Sequence, residues 1–228
     1  MNCASTRVVG VVSDPATWQS LGQGALPCDW VELRVDALPP QHRRLALASP
    51  CPKPLLLTLR HPAEGGRCAW AGDERLQLAR ELLPAAAALD WEIAFIPGAE
   101  SLLAEAKSRG VLLVASAHFF HSTPSLAEML VLQERAAAAG ADIVKIAFTP
   151  LSAEDMEVGV HFLQQPRDAM RAAVMGMGTL AATSRALYTR FGSSLLYGYL
   201  GSSPTAPGQL SAAECRKLIA DLPAVNPS

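Results

Sequence analysis

Short apolar segments alternate with longer helix-like stretches along the whole sequence. β-branched residues and leucine dominate the short segments, which favours strands, whereas the longer stretches have the composition and the caps of helices. Eight segments are typical of strands, at residues 8–12, 30–35, 55–60, 89–93, 111–116, 143–148, 172–177 and 194–199. Repeated alternation of strand and helix predicts a parallel sheet of the α/β class, and eight strands are the number that closes a (β/α)8 barrel, the TIM barrel.

Capping signals mark the ends of several helices. Thr123 and Pro124 predict the start of a helix that stops at Gly140, because threonine caps a helix, proline fits its first turn and glycine ends it. Ser211 and Glu214 have the spacing of a capping box for the last helix. No long linker or change in composition divides the sequence, so we expect residues 1–228 to form a single barrel domain.

The spacing of polar residues within the strands favours a closed barrel over an open sheet. Glu32 and Arg34 lie two residues apart, so their side chains share one face of the strand, opposite Val31 and Leu33. The same spacing relates Thr58 to Arg60, Asp90 to Glu92, and Ser116 to His118. In a barrel these faces converge at the mouth, whereas helices on both sides of an open sheet would bury the charges apart from one another. We expect Asp90 and Glu92 to fix the arginines and the lysine of this interior.

Lys145 lies at the centre of an apolar segment of strand type, residues 141–150 (ADIVKIAFTP). A charged ammonium in a region of low dielectric constant either finds a partner or loses its proton, and a neutral amine condenses with ketones. The alternative is a lysine on an edge strand, whose stem covers apolar surface while its amine reaches solvent. The segment alone leaves a nucleophilic and a structural lysine open.

Composition and charge exclude several classes of protein. The sequence has 228 residues, is 50% hydrophobic and 18% charged, and has a net charge of −2, which is typical of a globular domain that does not bind nucleic acid. Its five cysteines are scattered without a CxxC pair, so we expect neither a disulfide framework nor a metal site. No charged leader and no apolar segment of bilayer length occur, which predicts a cytoplasmic protein without membrane contact.

Several longer segments occur in an order and at spacings that together are highly specific. They are VELRVD (31–36), LTLRHPAEGG (57–66), LDWEI (89–93), VASAHFF (114–120), ADIVKIAFTP (141–150), MGM (175–177), FGSSLLY (191–197) and APGQLS (206–211). Over nearly its whole length the sequence thereby resembles the type I 3-dehydroquinate dehydratases, which use a lysine Schiff base on a (β/α)8 barrel in the shikimate pathway. The resemblance implies a lyase without a cofactor that converts 3-dehydroquinate to 3-dehydroshikimate with loss of water.

The resemblance assigns three residues to the chemistry. Lys145 matches the lysine that would condense with the C3 ketone and provide an iminium as electron sink. His118 matches the general acid and base that would take the C2 proton and protonate the departing C1 hydroxyl, although a hydrogen-bonded core histidine is the alternative. Glu64 matches the carboxylate that orients this histidine and supports its imidazolium form.

The resemblance also implies two groups of substrate-binding residues. Glu32, Arg34 and Arg60 match contacts to the ring hydroxyls, and Arg185, Thr205 and Gln209 match the cluster that holds the carboxylate. Arginine suits a carboxylate because its planar group donates two parallel hydrogen bonds. The residues alone leave open that Glu32 and Arg34 form an ion pair that lines the barrel. The Gly-, Ser- and Pro-rich residues 201–209 predict a loop that closes over the mouth.

Four features depart from the family pattern, and the mildest is Thr205, which replaces the more usual serine and keeps its hydroxyl. Phe119 stands where an acidic residue usually follows the catalytic histidine, so a supporting contact is missing or comes from Glu92 or Glu64. Gly10 lies near the place of a substrate-binding serine. The first strand begins a few residues after Met1, which leaves no room for an N-terminal hairpin and resembles dehydratase halves fused to a shikimate dehydrogenase.

Two alternative functions stay open. A class I aldolase-type barrel also uses a lysine at a strand end, but it more typically binds a phosphate in the loops after strands seven and eight. A non-catalytic barrel descended from the dehydratase would keep the fold and lose the chemistry, yet all three catalytic residues are present. The expected partner is a small molecule, 3-dehydroquinate. A homodimer is compatible with the sequence, which does not determine the oligomeric state.

Overall fold

Eight parallel strands form one sheet in a computed structural model that describes residues 6–167, 169–202 and 208–222. The strands are β1 (Arg7–Val12), β2 (Trp30–Arg34), β3 (Leu55–Thr58), β4 (Ala88–Glu92), β5 (Leu112–Phe119), β6 (Ile143–Phe148), β7 (Arg171–Gly176) and β8 (Leu195–Tyr199). Their order in the sheet is β7-β6-β5-β4-β3-β2-β1-β8, so consecutive strands are neighbours and β1 also pairs with β8. Each of the eight segments expected from the apolar pattern overlaps one of these strands, although several bounds differ by one to three residues.

Hydrogen bonds between the two ends of the sheet bring β8 against β7. The main-chain N–H of Ser194 donates to the carbonyl of Ala172 at 2.8 Å. The hydroxyl of Ser193 accepts from the N–H of Val174 at 3.0 Å and donates to the carbonyl of the same residue at 3.1 Å. The predicted (β/α)8 barrel is therefore confirmed, with the last seam held partly by a serine side chain.

Helices connect the strands and surround the barrel. They are α1 (Pro15–Ser20), α2 (Leu45–Ala48), α3 (Glu74–Leu82), α4 (Glu100–Ser108), α5 (Leu126–Ala138), α6 (Ala153–Gln164), α7 (Ala181–Arg190) and α8 (Ala212–Asp221). Single 3-10 turns lie at Val35–Ala37, Pro40–His42, Pro62–Glu64, Leu83–Ala85, Ile93–Phe95 and Gly178–Leu180. Among the described residues, no helix is both long enough and apolar enough to cross a membrane.

Two apolar layers follow from the alternation of side chains along the strands. Val31 and Leu33 belong to the core between the sheet and the helices, as the sequence predicted. A second cluster fills the barrel interior, where Trp30 lies at the start of β2 and is 5% exposed. The guanidinium of Arg7 lies over the Trp30 ring at 5.1 Å. Apolar side chains thus fill the amino end of the interior and leave its polar groups at the carboxyl ends of the strands.

The cap of α5 differs from the prediction. Ser125, not Thr123, is the N-cap, and it forms a capping box with Glu128. The Thr123 hydroxyl instead donates to the carbonyl of Thr149 at 3.4 Å, a contact that the local sequence does not reveal. The predicted glycine stop is confirmed, since Gly140 follows the helix at φ +73°.

The predicted extent of β3 was also too long at its carboxyl end. The strand ends at Thr58 because the chain then turns its N–H groups towards carboxylates. The N–H of Arg60 donates to Asp36 at 3.1 Å, and that of His61 donates to Glu92 at 2.8 Å. A side chain from the turn after β2 and one from the end of β4 therefore replace the sheet as hydrogen-bond acceptors. The capping box of α8 at Ser211 is confirmed.

Candidate active site

The turn after β3 brings Glu64 to His118. The backbone can fold back there because Gly65 has φ +84° and a Cβ on Gly66 would lie 2.1 Å from the carbonyl oxygen of Arg60. Glu64 Oε2 lies 2.9 Å from His118 Nδ1, and the two side chains are 12% and 10% exposed. His118 occupies an inward position near the end of β5, so the pair lies at the barrel mouth. The predicted contact between carboxylate and imidazole is thus present.

Burial changes the pKa of both members of this pair. Burial lowers the pKa of His118 well below its ordinary value, and the positive charges of Arg60 and Lys145 lower it further. Burial also raises the pKa of Glu64 to about 7, with a further contribution from the negative charge of Glu92. His118 is therefore neutral near pH 7 in the unliganded protein, which is the form that accepts a proton.

Lys145 lies inside the barrel and has found a partner. Its Nζ lies 2.9 Å from Asp90 Oδ2 and 4.3 Å from the centroid of the Tyr197 ring, and the residue is 4% exposed. Its strand, β6, pairs with β5 on one side and β7 on the other. The edge-strand alternative for Lys145 is therefore excluded. In register, His118 faces Ala147, two positions nearer the mouth than Lys145.

Asp90 links Lys145 to Arg60. Its Oδ1 lies 2.9 Å from Nη2 of Arg60 and accepts a hydrogen bond of 2.6 Å from the Ser116 hydroxyl, which itself accepts from Arg60 at 2.7 Å. Burial disfavours the charge of Asp90, but Arg60 and Lys145 outweigh it and hold the pKa of this carboxyl below its usual range. Asp90 therefore stays ionised and fixes two basic groups, as expected.

Glu92 holds Arg60 from the other side. Its Oε1 lies 3.2 Å from Nη1 of Arg60, and its Oε2 pairs with Nη2 of Arg75 on α3. The Arg75 guanidinium lies over the Trp91 ring at 3.8 Å and donates from Nε to the carbonyl of Leu59 at 2.7 Å. Arg60 is thus held by two buried carboxylates, which restrict how it can meet a substrate.

Arg75 was not among the predicted site residues. The signal that could have found it is its position on α3, where it shares the buried face with Leu78, Ala79 and Leu82. A charged residue on the apolar face of a helix requires a buried partner. The identity of that partner, Glu92, depends on how α3 packs against β4, which the local sequence does not specify.

Glu32 and Arg34 have different partners and do not form a direct ion pair with each other. Oε1 of Glu32 accepts a hydrogen bond of 2.7 Å from the Thr58 hydroxyl. Arg34 donates from Nε and Nη2 to the two oxygens of Asp36, at 2.9 and 2.8 Å. Asp36, like Arg75, was not among the site residues predicted from the sequence. The side chain of Arg34 stays 18% exposed, so it remains accessible from the mouth.

The residues expected at the carboxylate end are only partly described. Arg185 is buried on α7, where Nη1 donates to the carbonyl of Tyr197 at 2.6 Å and Nε has no partner among the described residues. Gln209 is half-buried just before Ser211, which bridges to the end of β8. Thr205 and most of the predicted closing loop lie outside the described residues. Within the described part of the chain, no cluster of three or more acidic, histidine or cysteine side chains could hold a metal ion.

Comparisons with known proteins assign the family. Residues 15–222 match the sequence model of the type I 3-dehydroquinase family. The chain belongs to the type I 3-dehydroquinases. It is similar to the 3-dehydroquinate dehydratase of Methanosarcina barkeri, at 30% identity over 226 residues that cover 93% of this chain and 93% of the relative.

Two solved structures share the barrel. The 3-dehydroquinate dehydratase of Geobacillus kaustophilus superposes with a TM-score of 0.82 at 25% identity, over 94% of this chain and 90% of that chain. The dehydroquinate dehydratase and shikimate dehydrogenase of S. pombe gives a TM-score of 0.74 at 22% identity, over 96% of this chain and 45% of that longer chain. The likeness to the fused protein is one of fold.

The two departures from the family pattern within the described strands face away from the site. Phe119 alternates with His118 and packs into the core between sheet and helices. A Cβ on Gly10 would meet the side chains of Leu200 and Cys28 at 2.6 and 2.9 Å, so this position also faces outwards. The supporting contact to His118 therefore comes directly from Glu64.

Proposed function

We propose that this type I 3-dehydroquinase converts 3-dehydroquinate to 3-dehydroshikimate through an imine on Lys145. Membership of the family supports the reaction, and the relatives carry the name of that activity. The observation that carries the residue assignment is the buried Lys145 amine, 2.9 Å from Asp90, below the His118–Glu64 pair on the same inner face of the barrel.

In the first step Lys145 forms the imine. Its ammonium gives a proton to the neutral imidazole of His118, and the free amine attacks the C3 carbonyl carbon of the substrate. The resulting carbinolamine loses its hydroxyl as water after the imidazolium returns the proton. The carboxylate of Asp90 lies at the nitrogen that then becomes a positive iminium, and it stabilises that charge.

In the second step His118 removes the C2 proton of the substrate, which makes the elimination of water possible. Its neutral imidazole takes the C2 proton, and the electron pair moves into the C2–C3 bond to give an enamine. The carboxylate of Glu64 stabilises the imidazolium at 2.9 Å. The enamine then expels the C1 hydroxyl, which leaves as water with the proton from His118. Hydrolysis of the remaining iminium releases 3-dehydroshikimate and restores the amine.

Substrate binding follows from the groups that face the mouth. We assign Glu32, Arg34 and Arg60 to the ring hydroxyls, and the partial exposure of Arg34 supports this assignment. We assign Arg185, Gln209 and Thr205 to the carboxylate. Nε of Arg185, which has no partner in the part of the chain that the structure describes, supports this assignment, whereas Thr205 rests on the sequence match alone.

The conjugated enone of the product provides a direct test of the reaction. Protein mixed with 3-dehydroquinate should produce the enone absorbance, and Lys145→Met should abolish it, whereas Lys107→Met on the outer helix α4 should not. Cleavage of a carbon–carbon bond without enone would favour an aldolase-type barrel, and an inert protein that still binds 3-dehydroquinate would favour a non-catalytic descendant.

We also propose where the protein is located, how many domains it has and how many copies assemble. We propose a single domain over residues 1–228 in the cytoplasm, which agrees with the four free cysteines of the described residues, Cys28, Cys51, Cys68 and Cys215. For the assembly we propose a homodimer. Size-exclusion chromatography with light scattering measures the mass of the protein in solution. The mass of a single chain would contradict the proposed homodimer.

A further inference from the structure

Tyr197 lies beside Lys145 but takes no part in imine formation or in the proton transfers of His118. It sits on β8 with its ring in the interior of the barrel and is 4% exposed. The face of this ring lies against Lys145, whose Nζ is 4.3 Å from the ring centroid. A cation over an aromatic face is attracted to it, so the ring helps to hold the amine in place.

The hydroxyl of Tyr197 is buried and has no hydrogen-bond partner among the described residues. Buried polar groups are nearly always paired, because losing contact with water without a replacement is costly. An unpaired hydroxyl next to a reactive group is therefore a candidate for a bond that forms only when a ligand is bound. The carboxylates of Glu32 and Asp90 and the guanidinium of Arg60 act on it electrostatically, so it belongs to the polar part of the interior.

We propose that Tyr197 is a substrate-binding residue, whose hydroxyl donates a hydrogen bond to an oxygen of the ring attached at Lys145. This inference rests on the proposed function, since the imine would place the substrate on the nitrogen that already touches the Tyr197 ring. The proposed substrate is an oxygen-rich carbocycle, and the phenol would donate to one of its hydroxyl or carboxylate oxygens.

The hydroxyl acts as a donor and not as a phenolate. Burial, followed by the negative charges of Glu32 and Asp90, raises the pKa of Tyr197 well above its ordinary value, so the proton stays on the oxygen at neutral pH. The neighbouring carboxylates also favour a polar, hydrogen-bonded ligand over an apolar one.

Tyr188 provides a matched control within the same chain. It is fully buried on α7, and its hydroxyl also has no hydrogen-bond partner among the described residues. Its ring packs outside the barrel, where a Cβ on Gly159 would lie 2.6 Å from it and where the Phe148 ring centroid is 6.0 Å away. Removal of either hydroxyl deletes one oxygen from a buried ring, but only Tyr197 adjoins Lys145.

The test compares Tyr197→Phe with Tyr188→Phe by steady-state kinetics on 3-dehydroquinate and by thermal unfolding. Tyr197→Phe should lower kcat/KM roughly threefold to tenfold, which corresponds to one neutral hydrogen bond. Its unfolding midpoint should not fall, because no bond in the free protein is lost. Tyr188→Phe should leave both quantities unchanged.

Three outcomes would overturn the inference, and they can be told apart. Equal kcat/KM for Tyr197→Phe and the unaltered protein would overturn it while leaving the proposed function intact. A similar loss of kcat/KM in both variants would show that repacking, and not a substrate contact, is the cause. Failure of the unaltered protein to form the enone would overturn the proposed function and this inference together.

Discussion

Asp90 and Lys145 form a buried ion pair across two strands of the barrel that are not neighbours. Asp90 lies on β4 and Lys145 on β6, and Oδ2 is 2.9 Å from Nζ although 55 positions separate the residues in sequence. β5 lies between them and contributes Ser116, which donates to the same carboxylate. The side chains are 0% and 5% exposed, so the pair is shielded from solvent.

This geometry predicts a large cost for removing the carboxylate charge. Asp90→Asn leaves Lys145 and Arg60 short of a buried partner, so we expect a loss of about 3–5 kcal/mol in the free energy of unfolding. Denaturant titration measures it. The control is Glu81→Gln, which breaks the exposed ion pair with Arg44 and should cost less than about 1 kcal/mol. Equal costs for the two variants would contradict a structural role of the buried pair.

His118 and Lys145 should be separable by substitution. His118→Ala removes proton transfer but keeps the amine, so kcat should fall roughly a hundredfold to ten-thousandfold or more, because one positioned acid or base contributes that range and His118 acts more than once. Imine formation should persist at a reduced rate. Borohydride reduction followed by mass spectrometry detects the imine as a stable adduct. The solvent-facing His121→Ala is the control. Near-normal turnover of His118→Ala would remove this histidine from the mechanism.

The pKa of Glu64 predicts how activity and stability depend on pH. Glu64 loses its charge as the pH falls through about 7, so kcat/KM should decline on the acidic side with an apparent pKa that belongs to the Glu64–His118 pair. Glu64→Gln should lower kcat and shift this limb. If the unaltered protein and Glu64→Gln showed the same acidic limb, the assignment of this limb to Glu64 would be contradicted.

The same shift has a defined sign for stability. The folded protein binds a proton on Glu64 up to about pH 7, whereas the unfolded chain loses it near the ordinary value of 4.5. The unfolded state therefore binds fewer protons between these values, and this group contributes less stability as the pH rises through that window. Glu64→Gln should accordingly raise the unfolding midpoint more at pH 8 than at pH 5. A larger gain at pH 5 would contradict the raised pKa.

Arg75 should act as a positioning residue for Arg60. Arg75→Met would leave Glu92 paired with Arg60 alone, so we expect a loss of about 1.5–3 kcal/mol in the free energy of unfolding, together with a raised KM. Arg80→Gln on the same helix breaks a partly exposed pair with Glu105 and should cost less than about 1 kcal/mol. An unchanged KM for Arg75→Met would limit this residue to a structural role.

Local periodicity was sufficient to predict which way the key side chains face. Ser116 and His118 lie two apart on β5, and Lys145 shares its face with Ile143, so alternation alone places them in the interior. The barrel then follows from the number of strands and from the charged side chains on their second faces, which need one another as buried partners. This part of the site depends on spacing within single strands, which the sequence contains directly.

Contacts between different elements could not be predicted in this way. The pairing of Glu92 with Arg75 depends on how α3 packs against the sheet. Such a choice is tertiary, and the local sequence leaves it open. The cap of α5 is a different case, because Ser125 and Glu128 have the spacing of a capping box, so a local signal was present and the sequence prediction overlooked it.

Reduction of the imine during turnover identifies the residue that holds the substrate covalently. Borohydride added to protein that is converting 3-dehydroquinate should reduce the iminium to a stable amine, and peptide mass spectrometry should find the adduct on Lys145. Lys145→Met treated in the same way should carry no adduct. An adduct on Lys53, Lys107 or Lys217, or none at all while the enone forms, would contradict a Schiff base on Lys145.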